Sequence, residues 1–214
     1  PRKTDTDPRQ EAMVLRLCDD RHPERPGIFP DEATHLFVTV DVHKFGFWYV
    51  MRAFAPGPSR ESWLVRYGLI EGNGMVYPAG WASLAPSLFD RLPLNSDGEP
   101  VPIYGGLVDS GWATGETKRW CQANPPFAPS KGYEEMKALF KRVKQPDFPG
   151  QMRIEFHTTA YKNTLSSKLG VNPGDDGAWH LFTNKLDPDK PPEEANLGLC
   201  AEYAHQMCSE ALNE

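Results

Sequence analysis

The sequence predicts an α/β domain on a mixed sheet, an antiparallel three-strand meander followed by parallel strands, with helices on its flanks. Three observations carry this. Residues 36–42, 46–54 and 62–70 are β-branched and aromatic runs whose connections are too short for anything but antiparallel neighbours. Beyond them helical and strand patterns alternate, the mark of parallel strands joined by crossover helices. The first and fourth apolar runs each stop at a carboxylate, Asp41 and Asp109.

The bulk properties set the outer limits. A chain of 214 residues holds one large domain or two small ones, and 39% hydrophobic with 24% charged residues is an ordinary globular balance. No apolar run approaches a membrane span, and no signal-peptide pattern is present. The first residue is Pro1 rather than Met, so an excised domain or processed fragment is expected. Cys18, Cys121, Cys200 and Cys208 are scattered without a CxxC pair, which favours reduced thiols over a zinc site or a disulfide framework. The net charge of -6 argues against coating nucleic acid through bulk electrostatics. It leaves room for an enzyme that grips DNA locally and cuts it at an acidic, metal-filled centre.

Taken in order, residues 1–33 are polar and proline-rich, with one helical stretch at 9–18, and read as a linker or arm entering a domain that spans 34–214. The meander strands follow, interrupted after the second by Pro56-Gly57-Pro58. Residues 81–92 suit a helix, Asn95-Ser96-Asp97-Gly98 a turn, and 101–108 the fourth strand. A helix at 113–123 has Ser110 or Thr114 to cap it. Residues 126–132 suit a short strand weakened by prolines. Residues 133–144 read as a helix, with Lys137, Lys141, Arg142 and Lys144 clustered on it. That cluster is either a solvated face or a phosphate-contacting patch. A strand at 152–157, a helix at 159–169, a short strand at 178–182, a polar loop through Pro192 and a helix at 195–212 complete the chain.

The chemistry rests on the two strand-end acids. If the first and fourth strands are neighbours, Asp41 and Asp109 meet at one sheet edge. Two adjacent carboxylates cannot both stay ionised without compensation, and oxygen ligands suit magnesium or manganese. A pair of such ions activates water and stabilises the leaving oxygen in phosphoryl transfer. The alternative is that both acids are turn residues. His43, two residues past Asp41, shares its face if the strand continues, and is either a loop histidine or a neighbour of the site. His157 and His180 sit at strand positions and read as structural. The chain lacks a phosphate-binding G-x-x-x-x-G-K-[ST] loop, a G-x-S-x-G elbow, an H-E-x-x-H helix and a G-x-G-x-x-G turn.

Several stretches resemble, in order, the nuclease domain of the large terminase subunit of lambda-like tailed phages. They are Val38-Thr39-Val40-Asp41-Val42, Glu61-Ser62-Trp63-Leu64, Leu107-Val108-Asp109-Ser110-Gly111, Pro129-Ser130-Lys131-Gly132, Ala178-Trp179-His180-Leu181-Phe182 and Glu202-Tyr203-Ala204-His205-Gln206-Met207-Cys208-Ser209-Glu210. The resemblance covers about residues 30–214 and implies a ribonuclease-H-like fold. It implies a two-metal endonuclease, using Mg2+ or Mn2+, that cuts concatemeric double-stranded DNA during packaging. Asp41 and Asp109 would bind the metals, and Lys131 would lie near the site. The same resemblance implies an ATPase domain before Pro1, the small subunit and the portal as partners, no membrane, and a place in the bacterial host's cytoplasm.

One departure stands out. The family completes its site with a third carboxylate on a helix beyond the Glu210 segment. Either that helix lies past Glu214, which the close Tyr203–Glu210 match favours, or Asn213 stands where the acid should be. Glu202 and Glu210 are the available substitutes. The missing acid and the negative charge also motivate a second reading, a docking module of the same fold without activity; a third is a cellular nuclease or resolvase of the same superfamily.

Overall fold

The computed structural model describes residues 8–18, 26–57, 61–182 and 196–209. Residues 1–7 and 19–25 of the expected arm at 1–33 lie outside them, as do residues 183–195, which include the polar loop expected through Pro192. Eight strands form one mixed sheet: β1 (His35–His43), β2 (Gly46–Phe54), β3 (Ser62–Glu71), β4 (Ile103–Asp109), β5 (Phe127–Tyr133), β6 (Phe140–Lys144), β7 (Met152–His157) and β8 (Trp179–His180). Their spatial order is β6-β7-β5-β4-β1-β2-β3-β8. The first three form the expected antiparallel meander, and β4, β5 and β7 extend it with parallel pairings from β1 outward. This is the mixed α/β arrangement of a ribonuclease-H-like domain.

The hairpin joining β1 to β2 turns on two residues, Lys44 and Phe45, with His43 opposite Gly46. The register is therefore fixed. Leu36, Val38, Val40 and Val42 of β1 fall on one buried face, where they meet Trp81, Leu84 and Leu88 around α2 (Leu84–Phe89) and Trp120 and Cys121 of α3 (Thr114–Ala123). Each large apolar side chain buried there contributes roughly 1.5–3 kcal/mol.

The opposite face carries a second core over β2, β3 and β8. It joins Leu64 and Leu181 to Val14 and Leu17, in and just after α1 (Pro8–Leu15), and to Cys200, Tyr203 and Ala204 of α5 (Asn196–Ser209). The described part of the N-terminal arm is thus packed onto the domain: Leu181 N donates to Leu17 O at 2.8 Å, and Glu11 meets His205 at 2.9 Å. Buried Arg52 ties β3 to β8, donating to Ser62 O at 3.0 Å and to His180 O at 3.4 Å, with its guanidinium 3.9 Å from the Trp179 ring centre.

Two local expectations are corrected. Residues 133–144 are not a helix; they finish β5, cross an exposed loop and form the edge strand β6, which pairs antiparallel with β7. Tertiary pairing overrides the helical propensity of this stretch, because β6 sets Lys141 directly opposite the buried Glu155. Nor does Ser110 or Thr114 cap α3. Ala113 occupies the cap position, and the Thr114 hydroxyl donates back to Ser110 O at 2.6 Å.

Candidate active site

Asp41 and Asp109 come together through strand register. β1 and β4 run parallel with Thr39 opposite Leu107 and Val40 opposite Val108, so the next step along both strands is Asp41 and Asp109. Residues in register share a face, here the one opposite the α2 and α3 core. Both acids line a cavity of about 690 Å³. Its floor is Thr39, Leu107, Trp48 and Tyr67 of the sheet; its far walls are Phe156 of β7, Leu165 of α4 (Thr158–Leu169) and Tyr203, Gln206 and Met207 of α5.

Each carboxylate is held. Nε2 of His43 lies 2.8 Å from Oδ2 of Asp41, and an ionised carboxylate only accepts, so His43 is the donor. The N–H of Gly111 donates to both oxygens of Asp109, at 3.1 and 3.2 Å. The loop behind Asp109 is tied down by Ser110, whose N–H and hydroxyl both donate to Ser130 O at 2.8 and 2.7 Å, and by Thr117, which donates to Asp109 O at 3.0 Å. Partial burial pushes the Asp109 carboxyl above the usual carboxylate range. The Asp41 charge pushes the same way, while the Gly111 and Ser110 N–H groups and His43 oppose it. The two acids therefore feel each other electrostatically.

The remaining residues singled out from sequence are placed as follows. Lys131 lies on β5 opposite Glu155 of β7, one step past Ser130, so strand alternation sends it toward the other face; its ammonium sits 5.4 Å from the Tyr133 ring centre. Lys137 is exposed in the loop before β6, and Lys141 and Arg142 are exposed on β6, with β7 and β5 between them and β4. Lys141 is engaged by Glu155 at 2.8 Å. Glu202 accepts from the Tyr67 hydroxyl at 3.1 Å, beside the cavity wall, and burial followed by the Glu202 charge pushes that phenol up. Glu210 lies outside the described residues. His157 caps α4, accepting from Ala160 N at 3.4 Å, and His180 is buried against Glu61 at 2.7 Å.

Sequence reasoning missed Trp48 and the α5 wall. The first had a readable signal, since a two-residue hairpin turn after His43 sets Trp48 opposite Asp41. Tyr203, Gln206 and Met207 are themselves part of the stretch that carried the family resemblance, and they close the cavity over the acids. As for a metal, two carboxylates converge, and their mutual repulsion is the kind a divalent cation relieves. Among the described residues no group of three or more His, Cys, Asp or Glu forms a metal-holding cluster.

Fold and site together define a ribonuclease-H-like α/β domain with an acidic centre at the ends of its first and fourth strands. The chain belongs to the family described as terminase large subunit gpA, endonuclease domain, whose model matches residues 3–214. Membership supports a nuclease role in DNA packaging, with DNA as the substrate. Comparisons with curated proteins and with solved structures gave no match. No helix among the described residues is long and apolar enough to cross a membrane.

Proposed function

We propose that this domain is a divalent-metal-dependent endonuclease that cuts concatemeric double-stranded DNA by two-metal phosphodiester hydrolysis, with Asp41 and Asp109 as metal ligands. The observation that carries the reading is the register of β1 and β4, which sets two carboxylates side by side on one face, over a cavity, with burial and mutual charge opposing the ionisation of one of them. Bound Mg2+ or Mn2+ would supply an activated water and charge stabilisation at the leaving oxygen. The chain's own contribution is positional. His43 orients one oxygen of Asp41, Gly111 fixes Asp109, and the Ser110–Ser130–Thr117 bonds hold the loop that presents it. In the intact motor the small subunit and the portal are the proposed partners, and the host cytoplasm the proposed setting. Exposed Lys137 and Arg142 are proposed phosphate contacts along the flank of the sheet.

The test is Asp41→Asn. The variant is expected to lose manganese-dependent cleavage of plasmid DNA while keeping the circular-dichroism spectrum of the parent; cleavage at the parental rate would refute the assignment. A second reading, a docking module without activity, is favoured by one observation: only two acids converge among the described residues. Manganese titration separates the two, because saturable binding lost in both Asp41→Asn and Asp109→Asn contradicts a pure docking role.

A further inference from the structure

Strand register sorts the cations of the sheet's outer half between its two faces. Asp109 pairs with Ser130, Ser130 with Ile154 and Ile154 with Arg142, so one row leads from the acids across β5 and β7 to the edge strand β6. Directly paired residues share a face. Ser130 and Phe156 both line the cavity beside Asp109, which identifies that face as the acids' own. Phe140 lies opposite Phe156 and Lys144 opposite Met152, so Phe140, Arg142 and Lys144 all leave β6 on the same side as the acids. Both cations are exposed. The neighbouring row of Lys131, Glu155 and Lys141 leaves the opposite face, and there Glu155 engages Lys141.

Charge along the acids' row is one-sided. Toward β2 and β3 the row continues through Trp48 and Leu69, which carry none. Toward β6 it ends in Arg142, with Lys144 two residues on. These two belong to a stretch, residues 136–146, that contains Lys137, Lys141, Arg142 and Lys144 and no acid. In a chain of net charge -6, attraction to phosphate has to come from such a local patch. Three interstrand steps put Arg142 about 14 Å from Asp109, the rise of about four nucleotides of one DNA strand.

We propose that Arg142 and Lys144 form an anchoring subsite for the DNA phosphodiester backbone, on the face of the acids and about four nucleotides from the scissile bond. Bound duplex then runs from Asp109 toward β6 rather than toward β3. This rests on the reading of Asp41 and Asp109 as the cleavage centre, and adds to it the direction in which the substrate lies. Arg142 and Lys144 are positioning residues: they hold the duplex without touching the reacting atoms.

The experiment measures duplex binding by anisotropy over a potassium chloride series, with calcium as the divalent ion, and plasmid cleavage with manganese. Arg142→Ala combined with Lys144→Ala is expected to lower the slope of log affinity against log salt by about 2, one for each phosphate contact. The same pair should raise the KM of cleavage and keep kcat. Lys131→Ala combined with Arg119→Ala, on exposed α3, removes as much charge from the opposite face and is expected to keep the parental slope and KM. Equal slopes in the two double variants overturn the proposal. A fall in both would mean bulk charge, and a fall in neither would mean that the β6 cations only guard the sheet edge. A lowered kcat with unchanged KM overturns it as well. Asp41→Asn separates this from the underlying reading: continued cleavage sinks the assignment of the acids, and the anchor with it. If Asp41→Asn abolishes cleavage but the Arg142 and Lys144 pair keeps the parental slope, the anchor alone is withdrawn.

Discussion

Asp109 sits where its own charge is opposed. Burial and the neighbouring Asp41 carboxylate raise its pKa, and the Gly111 and Ser110 N–H groups only partly offset them. The carboxyl thus holds its proton more tightly in the folded chain than in the unfolded one. Stability without cation must then fall as pH rises from the ordinary carboxylate range, near roughly 4, through the raised folded value. Asp109→Asn is therefore expected to raise the melting temperature of the cation-free protein at pH 7 and to flatten that decline, while abolishing cleavage. A lower melting temperature would show that the Gly111 bonds outweigh the repulsion. His43 makes a second residue-scale test. It donates to Asp41 from an exposed position, so His43→Ala should leave the fold intact and weaken manganese binding by about 10–100-fold, as loss of an orienting partner does. Isothermal titration reads this directly.

At the scale of elements, the places where sequence and structure agree and differ have physical reasons. β2 matches its expected bounds because it is an aromatic run between the Lys44-Phe45 turn and Pro56-Gly57, and β7 matches because it starts after Pro149-Gly150 and stops where α4 begins at Thr158. The acids were legible for the same reason: a carboxylate closing an apolar run is conspicuous. β6 was not legible, because its strand character comes from pairing with a segment that follows it in sequence. Its Lys141 meets Glu155 across the ladder, and Arg153 reaches the same carboxylate from within β7. Burial would raise the Glu155 pKa, but the hydrogen bonds from Lys141 and Arg153 prevail and hold it below the usual range. A carboxylate depressed on folding stabilises fully above its unfolded pKa of roughly 4.3, and that contribution is lost as pH falls through the folded value. Glu155→Gln should cost about 2 kcal/mol at pH 7 by removing the charge to which Arg153 and exposed Lys141 bond. Urea titrations should show the gap to the parent closing below roughly pH 4. A gap independent of pH would mean that packing rather than charge is responsible.

Across the whole molecule, one end of the described chain lines the site and the other end braces it. α5 supplies Tyr203, Gln206 and Met207 to the cavity, yet it is not part of the sheet that carries the acids. It is held there by the second core, in which Val14 and Leu17 pack with Leu181, Phe182, Cys200 and Tyr203, and by the Glu11–His205 contact. No local pattern announces such an arrangement, since residues 8–18 read alone as an arm. The energetic consequence is specific. Leu17 is 1% exposed, and truncating a buried leucine to alanine costs about 2–5 kcal/mol in transfer and cavity terms. The loss should be unevenly shared. The first core, around Val38, Trp81 and Trp120, does not include Leu17, so it should keep its protection while the second loosens. Leu17→Ala is therefore expected to speed amide exchange in α5 and β8 well before β1 and β4, and to weaken DNA cleavage through the loosened wall with both acids still in register. Equal acceleration in all four elements would instead show that the two cores unfold as one cooperative unit, and that α5 cannot open over the acids unless the sheet itself comes apart.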